Sequence, residues 1–195
     1  MSARDDILRT IRRQLPLATD LPDRQVEGIR YDHPVGQFLE VLEGVGGQGH
    51  LVTSLSEIPD LLSGLRIPGR RIVSAVPGVL EPNFDFAAVT DPHTMADVEL
   101  AIVPGEIAVA ENAAVWVHTI TSALRAACFL SQHLALVVPA SRIVSNLHEA
   151  YDRMCLDETA FGCFISGPSK TADIEQSLVK GAHGARTLNV FLVES

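Results

Sequence analysis

Cysteine is scarce in this chain: three residues among 195, at Cys128, Cys155 and Cys163. The number is odd, no C-x-x-C occurs, and the spacings match neither zinc nor iron–sulfur ligation. The thiols therefore read as small buried apolar side chains in a reducing compartment. Positive charge is also scarce, with fifteen Lys and Arg against twenty-four Asp and Glu and a net charge of −9. A surface that negative repels phosphate backbones, which argues against nucleic acid and anionic membrane as main partners but leaves room for one local pocket holding a small anion. Aromatic residues make up only 5%, with a single tryptophan, Trp116, and they are not interleaved with basic residues as nucleic-acid binding requires. Long apolar runs are missing as well. Residues 112–141 hold one charged residue, Arg125, but Asn112, His118, Ser122, Gln132 and Pro139 interrupt them, so they read as buried core rather than a membrane span. The opening MSARDDILRTIRRQL has no apolar stretch of the kind a secretory signal needs, and a cytoplasmic location is expected. The histidines show neither H-x-x-x-H nor H-E-x-x-H spacing, so no metal site is expected; G-x-G-x-x-G, G-x-S-x-G and the P-loop pattern are absent too.

What is present suits a globular chain with a real core. Apolar residues make up 47% and charged residues 20%, and the mean hydropathy of +0.21 points to a covered subunit interface, so a homo-oligomer is expected. Residues 1–33 read as an amphipathic helix over 2–15, with Ile7, Leu8, Ile11 and Leu15 on one face, followed by a linker. The helix is expected to dock on the main body or on a second subunit. Residues 34–195 read as one α/β domain. Phe38, Leu39, Leu42 and Val45 mark a helix ended by Gly46-Gly47, and a second helix fits 56–65. Strands are expected at 50–53, 71–74, 87–89, 98–103, 107–110, 114–118, 134–138, 163–166 and 187–193, and further helices at 122–131, 141–154 and 172–179. Runs such as LALVV and NVFLV are apolar on both faces, as central strands covered by helices are. The alternation predicts an α/β sandwich with a mostly parallel sheet.

Two segments carry candidate chemistry. In open α/β sheets ligands gather at strand carboxyl ends beside helix N-termini. In 164–184 a strand ends at Ser166, Gly167-Pro168 turns the chain, and Ser169, Lys170 and Thr171 precede the expected helix that holds Asp173. Backbone amides and the lysine would cradle a carboxylate or phosphate. The competing reading is a plain helix cap by Ser169 or Thr171. His183, between Ala182 and Gly184, is accessible from both sides, and an imidazole can act as acid, base or anion donor near neutral pH. In 105–119 the polar break Glu111-Asn112 separates two apolar strands. A carboxylate there is costly to bury unless paired, so Glu111 is a candidate nucleophile, base or ligand-orienting group, or else part of a surface turn. The bend at 167–171, His183 and Glu111 are expected to converge on one solvent-reachable hollow.

These segments resemble a known family. GPSKTADIEQSLVKGAHG, residues 167–184, is similar to the GPSRTADIE…G-x-HGP signature of the LUD domain family, in its lactate utilization protein C group. AVAENAAVWV, residues 108–117, is similar to that family's A-I-A-E-T-G-T segment, and SARDDILRTIRRQL to its opening helix. The resemblance implies a fold of the NagB/RpiA/CoA transferase-like type. It also implies a role in oxidising L-lactate to pyruvate beside iron–sulfur partner subunits, with no cofactor in this chain itself. A small carboxylate ligand is expected near Gly167, Ser169, Lys170, Thr171, Asp173, Asn112 and Gly184, with Glu111 and His183 in catalytic roles. The chain departs from the family where Asn112-Ala113-Ala114 replaces T-G-T, Lys170 replaces Arg and Ala185 replaces Pro. Two alternatives stand beside this reading. One is a transferase or isomerase of the wider superfamily that uses Glu111 on a CoA ester or sugar phosphate. The other is a non-catalytic assembly or regulatory subunit.

Overall fold

The computed structural model describes residues 2–16, 19–20, 28–65, 71–119, 121–154, 161–172 and 178–194. Five strands run parallel in the central sheet: β1 (Gln48–Val52), β2 (Arg71–Ser74), β3 (Val98–Pro104), β6 (His133–Pro139) and β11 (Thr187–Val193), in the order β1-β11-β6-β3-β2. A second sheet holds β4 (Ile107–Val109), β5 (Ala114–Thr119), β7 (Ile143–Val144) and β8 (Phe161–Ile165), in the order β7-β4-β5-β8, antiparallel except for β4 with β7. The remaining pair, β9 (Lys170–Ala172) and β10 (Leu178–Lys180), forms an antiparallel ribbon. This is a mixed α/β fold with a mostly parallel central sheet.

Strand period two explains how one sheet serves two cores. Along β6, Leu134, Leu136 and Val138 face one side, where they meet Val115, Val117 and Ala108 of the second sheet. Two helices close that layer: α2 (Pro34–Gly44), with Phe38 and Leu42 fully buried, and α4 (Ser122–Leu130), with Ala123, Ala127 and Cys128 buried. Ala135 and Val137 face the other side, packed with Phe191 of β11 against Ile58 and Leu62 of α3 (Ile58–Leu62). The outer face of the second sheet carries Ile107, Val109 and Trp116, partly covered by α5 (Leu147–Arg153).

Three expectations need correction. Residues 87–89 are not a strand: a 3-10 turn spans Phe86–Ala88, because a three-residue apolar run without a neighbouring strand has nothing to pair with. The single helix expected at 141–154 is a 3-10 turn, the short β7, and then α5. The β-branched Ile143 and Val144 join β4, and Asn146 restarts the helix by accepting from the Glu149 amide at 3.0 Å. The helix expected at 172–179 is also absent from its described flanks. Thr171 pairs with Val179 and Ala172 with Leu178 in the β9–β10 ribbon, and 173–177 lie outside the described residues. The helix α1 (Ala3–Gln14) forms as expected, with Ser2 and Asp5 in a capping box, and none of its residues is fully buried. Half of the linker, and the turn expected at Pro68-Gly69, fall outside the described residues.

An acid dependence of stability is expected at the amino end of the central strand β6. His133 opens β6, and its Nδ1 lies 2.7 Å from Thr187 Oγ1 at the start of β11. Burial holds its pKa below the ordinary 6.5; nearby Glu99 opposes this and Arg186 adds to it. The folded state therefore takes up its proton later than the unfolded chain does as pH falls. Stability from this group is fully present above about pH 6.5 and is lost as pH drops through 6.5 toward the lowered folded value. In denaturant titrations His133→Gln should flatten the fall in stability below pH 6.5; an identical slope in the variant would assign the acid sensitivity elsewhere.

Candidate functional site

The chain leaves β8 at Ile165 and turns through Gly167, whose φ is +71°. The turn packs hard on the end of α2. A Cβ at Gly167 would stand 2.9 Å from the Val45 carbonyl oxygen, so neither the backbone angle nor the space admits a side chain. Ser169 is then clamped from both directions: its amide donates to the Ala185 carbonyl at 2.9 Å, and its carbonyl accepts from the Gly181 amide at 3.0 Å. The loop 181–185 thus lies flat against the bend 167–169. The approach is close enough that a Cβ at Gly184 would meet Ser169 Cβ at 3.1 Å.

Between these two loops opens a cavity of about 330 Å³. Its polar lining residues are Ser166, Ser169, Lys170 and His183, with the lysine and the histidine exposed to solvent. Its lining also includes Cys128 and Phe129 in the last turn of α4, Phe164 and Ile165 at the end of β8, and Leu134 and Leu188. Burial, with a smaller effect of nearby Cys163, pushes the Cys128 thiol up to about 12, so this part of the lining is neutral. Cys163 is half-buried and shifted the same way by burial, while Cys155 lies outside the described residues. Leu134 and Leu188 stand second in β6 and β11, so the hollow lies at the amino ends of two central parallel strands. The expected place was a strand carboxyl end. That holds only for β8, whose carboxyl end the second sheet delivers to this edge.

The expected site residues divide accordingly. Gly167, Ser169, Lys170, His183 and Gly184 come together at the cavity. Thr171 lies half-buried in β9 beyond its lining, and Asp173 falls outside the described residues. Glu111 does not line it. Its Oε1 accepts from the Leu147 amide at 2.7 Å, which turns the carboxylate toward the start of α5 and supplies the partner a half-buried charge needs. Asn112 reaches the rim only through its backbone: Ser166 Oγ donates to its carbonyl at 2.7 Å, while its side chain accepts from the Ala114 amide at 3.1 Å. The next residue, Ala113, is fully buried with φ +51°, a left-handed conformation that glycine adopts without strain. Sequence reasoning missed Phe129, Leu134 and Leu188, named Ser166 only as a strand end, and read Cys128 only as core; no local signal marks Cys128, Phe129, Leu134 or Leu188, because the fold brings them to the bend from distant parts of the chain.

Among the described residues, no group of three His, Cys, Asp or Glu could hold a metal ion, and no helix is long and apolar enough to cross a membrane.

Comparison with known proteins places the chain in a family and a fold. Residues 79–193, more than half of the chain, match the LUD domain family. A lactate utilization protein C from Shouchella clausii is 33% identical over 107 residues, 52% of this chain and 46% of that protein. Another lactate utilization protein C, from an Exiguobacterium species, is 26% identical over 131 residues, 62% of this chain and 57% of that protein. The chain thus spans about half the length of the curated relatives it matches. In fold it is similar to a DUF162 family protein from Deinococcus radiodurans, with a TM-score of 0.62 at 18% identity over 85% of this chain and 99% of that one.

Proposed function

The chain belongs to the LUD domain family, and we propose that it serves as a cytoplasmic subunit of a lactate-oxidising system, holding a small carboxylate in the cavity between the bend and the 181–185 loop. The observation that supports this most is the pairing of a lysine with hydrogen-bonding groups on one rim. Lys170 supplies a cation, while Ser169 and His183 supply donors on loops tied together by the backbone bonds of Ser169. Lysine is a point charge without the fork of an arginine, so it attracts a carboxylate but does not orient it; the serine and histidine take that part. Oxidation of L-lactate to pyruvate releases two electrons and two protons. In this proposal the electrons pass to iron–sulfur partner subunits, and this chain positions the acid. The carboxylate of Glu111 is engaged at Leu147, which leaves attack on a CoA ester the weaker reading.

Purified protein should gain thermal stability on adding L-lactate or pyruvate. The gain expected at a ligand excess of a hundredfold over Kd is about 2.7 kcal/mol, and Lys170→Ala should remove most of it. If the wild type melts at the same temperature with and without every small acid tried, the proposal fails.

The exposed face of α1 is assigned in the same proposal to a second copy of the chain. Ile7, Ile11 and Leu15 are 61%, 52% and 63% exposed. The helix carries four arginines and two aspartates on a chain of net −9, so a basic segment is carried by an acidic chain, which favours its attraction to a second copy. Light scattering should report a dimer or larger at low salt and a monomer for the Ile7→Asp, Ile11→Asp double variant. A monomeric wild type would rule this assembly out.

A further inference from the structure

We infer that Ser166 is a positioning residue for the carboxylate site, and that the turn at Glu111-Asn112 acts on that site through it. This rests on the carboxylate reading above and adds the residues that hold its bend in place. The segments 105–119 and 164–184 thereby form one device.

β8 pairs with β5 up to Ile165, whose partner is Val115. Beyond that pair the backbone ladder ends and the bend begins. Ser166 carries the connection one residue further with its side chain, as its Oγ donates to the Asn112 carbonyl at 2.7 Å. Outside the strands, and among the described residues, the other hydrogen bonds of the bend are those of Ser169. They run to Ala185 and Gly181, not to the second sheet. Gly167 rests against the Val45 carbonyl, which blocks movement toward α2 only. The Ser166 hydroxyl is therefore the tie that sets the bend against the second sheet.

The acceptor end of that tie is itself held. The Glu111 amide donates to the Ser145 carbonyl at 3.0 Å, and the Glu111 carboxylate accepts from the Leu147 amide at 2.7 Å. The Asn112 side chain accepts from the Ala114 amide at 3.1 Å, and Ala113 between them is fully buried. A carbonyl fixed in this way gives the bonded hydroxyl, and the bend that follows it, one position rather than several. Ser166, Ser169 and Lys170 all line the cavity. A bend set before the ligand arrives spares binding the cost of ordering these groups. Ser166 is exposed, so its loss should show little in the stability of the fold and should show in affinity.

Calorimetric titration of the full chain with L-lactate and with pyruvate tests this. Ser166→Ala should weaken binding about three- to tenfold, the worth of one hydrogen bond, while melting within about 2 °C of the wild type. Ser166→Thr keeps the hydroxyl and should bind within about twofold of the wild type. Glu111→Ala frees the turn and should weaken binding as well, though its carboxylate lies away from the cavity. The double variant Ser166→Ala, Glu111→Ala should be no more than about twofold weaker than the worse single, because both changes break one link. Where Glu111→Ala does not fold, Asn112→Ala, which removes the brace to the Ala114 amide, takes its place in the cycle. Ser166→Ala binding as the wild type does would overturn the inference and leave the carboxylate reading intact. A threonine no better than alanine would overturn it too, since the hydroxyl would not be the source. Losses that multiply in the double variant would overturn the route from the turn through Ser166. Failure of both acids to bind the wild type would remove the carboxylate reading and this inference with it.

Discussion

Gly162→Ala should cost about 3 kcal/mol of stability, the upper end for overpacking, and lower the melting temperature by roughly 6–12 °C. Gly162 sits in β8 opposite His118 of β5, and Trp116, two residues along β5, leans its indole over the gap. A Cβ added at Gly162 would fall 2.2 Å from both Cζ2 and Cη2 of that ring. The ring is rigid, 4% exposed, and held by Phe164 with centroids 5.0 Å apart, so it has no easy rotamer to escape to. Since Trp116 is the chain's single tryptophan, its emission reports the displacement directly. The variant should show a shifted emission maximum along with the lower melting temperature. Unchanged emission and an unchanged melting temperature would mean that the indole does not rest on this glycine.

Phe191→Ala should cost about 3–5 kcal/mol, the range for removing a buried aromatic ring. Phe191 is fully buried in β11 with neighbours on both edges of the strand, and it stacks on His50 of β1 at 4.9 Å. The face it occupies is thin, covered by the five-residue α3 and adjoining turns, so the void has few side chains able to collapse into it. A loss below about 1 kcal/mol in denaturant unfolding would contradict the packing described for this face.

Much of the fold was legible because its main signals are local. β6 is apolar at every interior position and β11 at all but Asn189, which fits strands covered on both sides, and the break at Glu111-Asn112 marked the turn between β4 and β5. The errors fell where tertiary pairing overrode periodicity. Ile143-Val144 fits a helical repeat when read alone but goes to β4, and Thr171 and Val179 pair across a ribbon where a helix was expected. The polar half of the candidate site was legible for the same local reason: Gly167, Ser169, Lys170 and His183 lie within seventeen residues of one another. The apolar half was not, because Phe129, Leu134 and Leu188 meet it only once the sheet is assembled. Glu111 is the instructive case. An acid in an apolar hairpin does need a partner, and the partner is the amide of Leu147, thirty-six residues away.

Ala113 shows how a departure from a family pattern can be accommodated. The family segment has glycine at this place, and the backbone keeps the left-handed angle that glycine would take. The strain costs of order 1–2 kcal/mol, while burying the methyl group returns about 0.8 kcal/mol. The turn survives the substitution because its core contact offsets part of the strain.

The position of β11 has a consequence for biosynthesis. It lies between β1 and β6, strands that precede it by well over a hundred and by about fifty residues. A nascent chain emerging from the ribosome therefore has β1 without either edge satisfied until residues near 190 are free of the exit tunnel. Until then the edges of β1 and β6 that β11 will pair with are open to wrong neighbours. Slow translation through this stretch, or a truncated message, would leave a sticky half-sheet, and chaperone dependence should concentrate there.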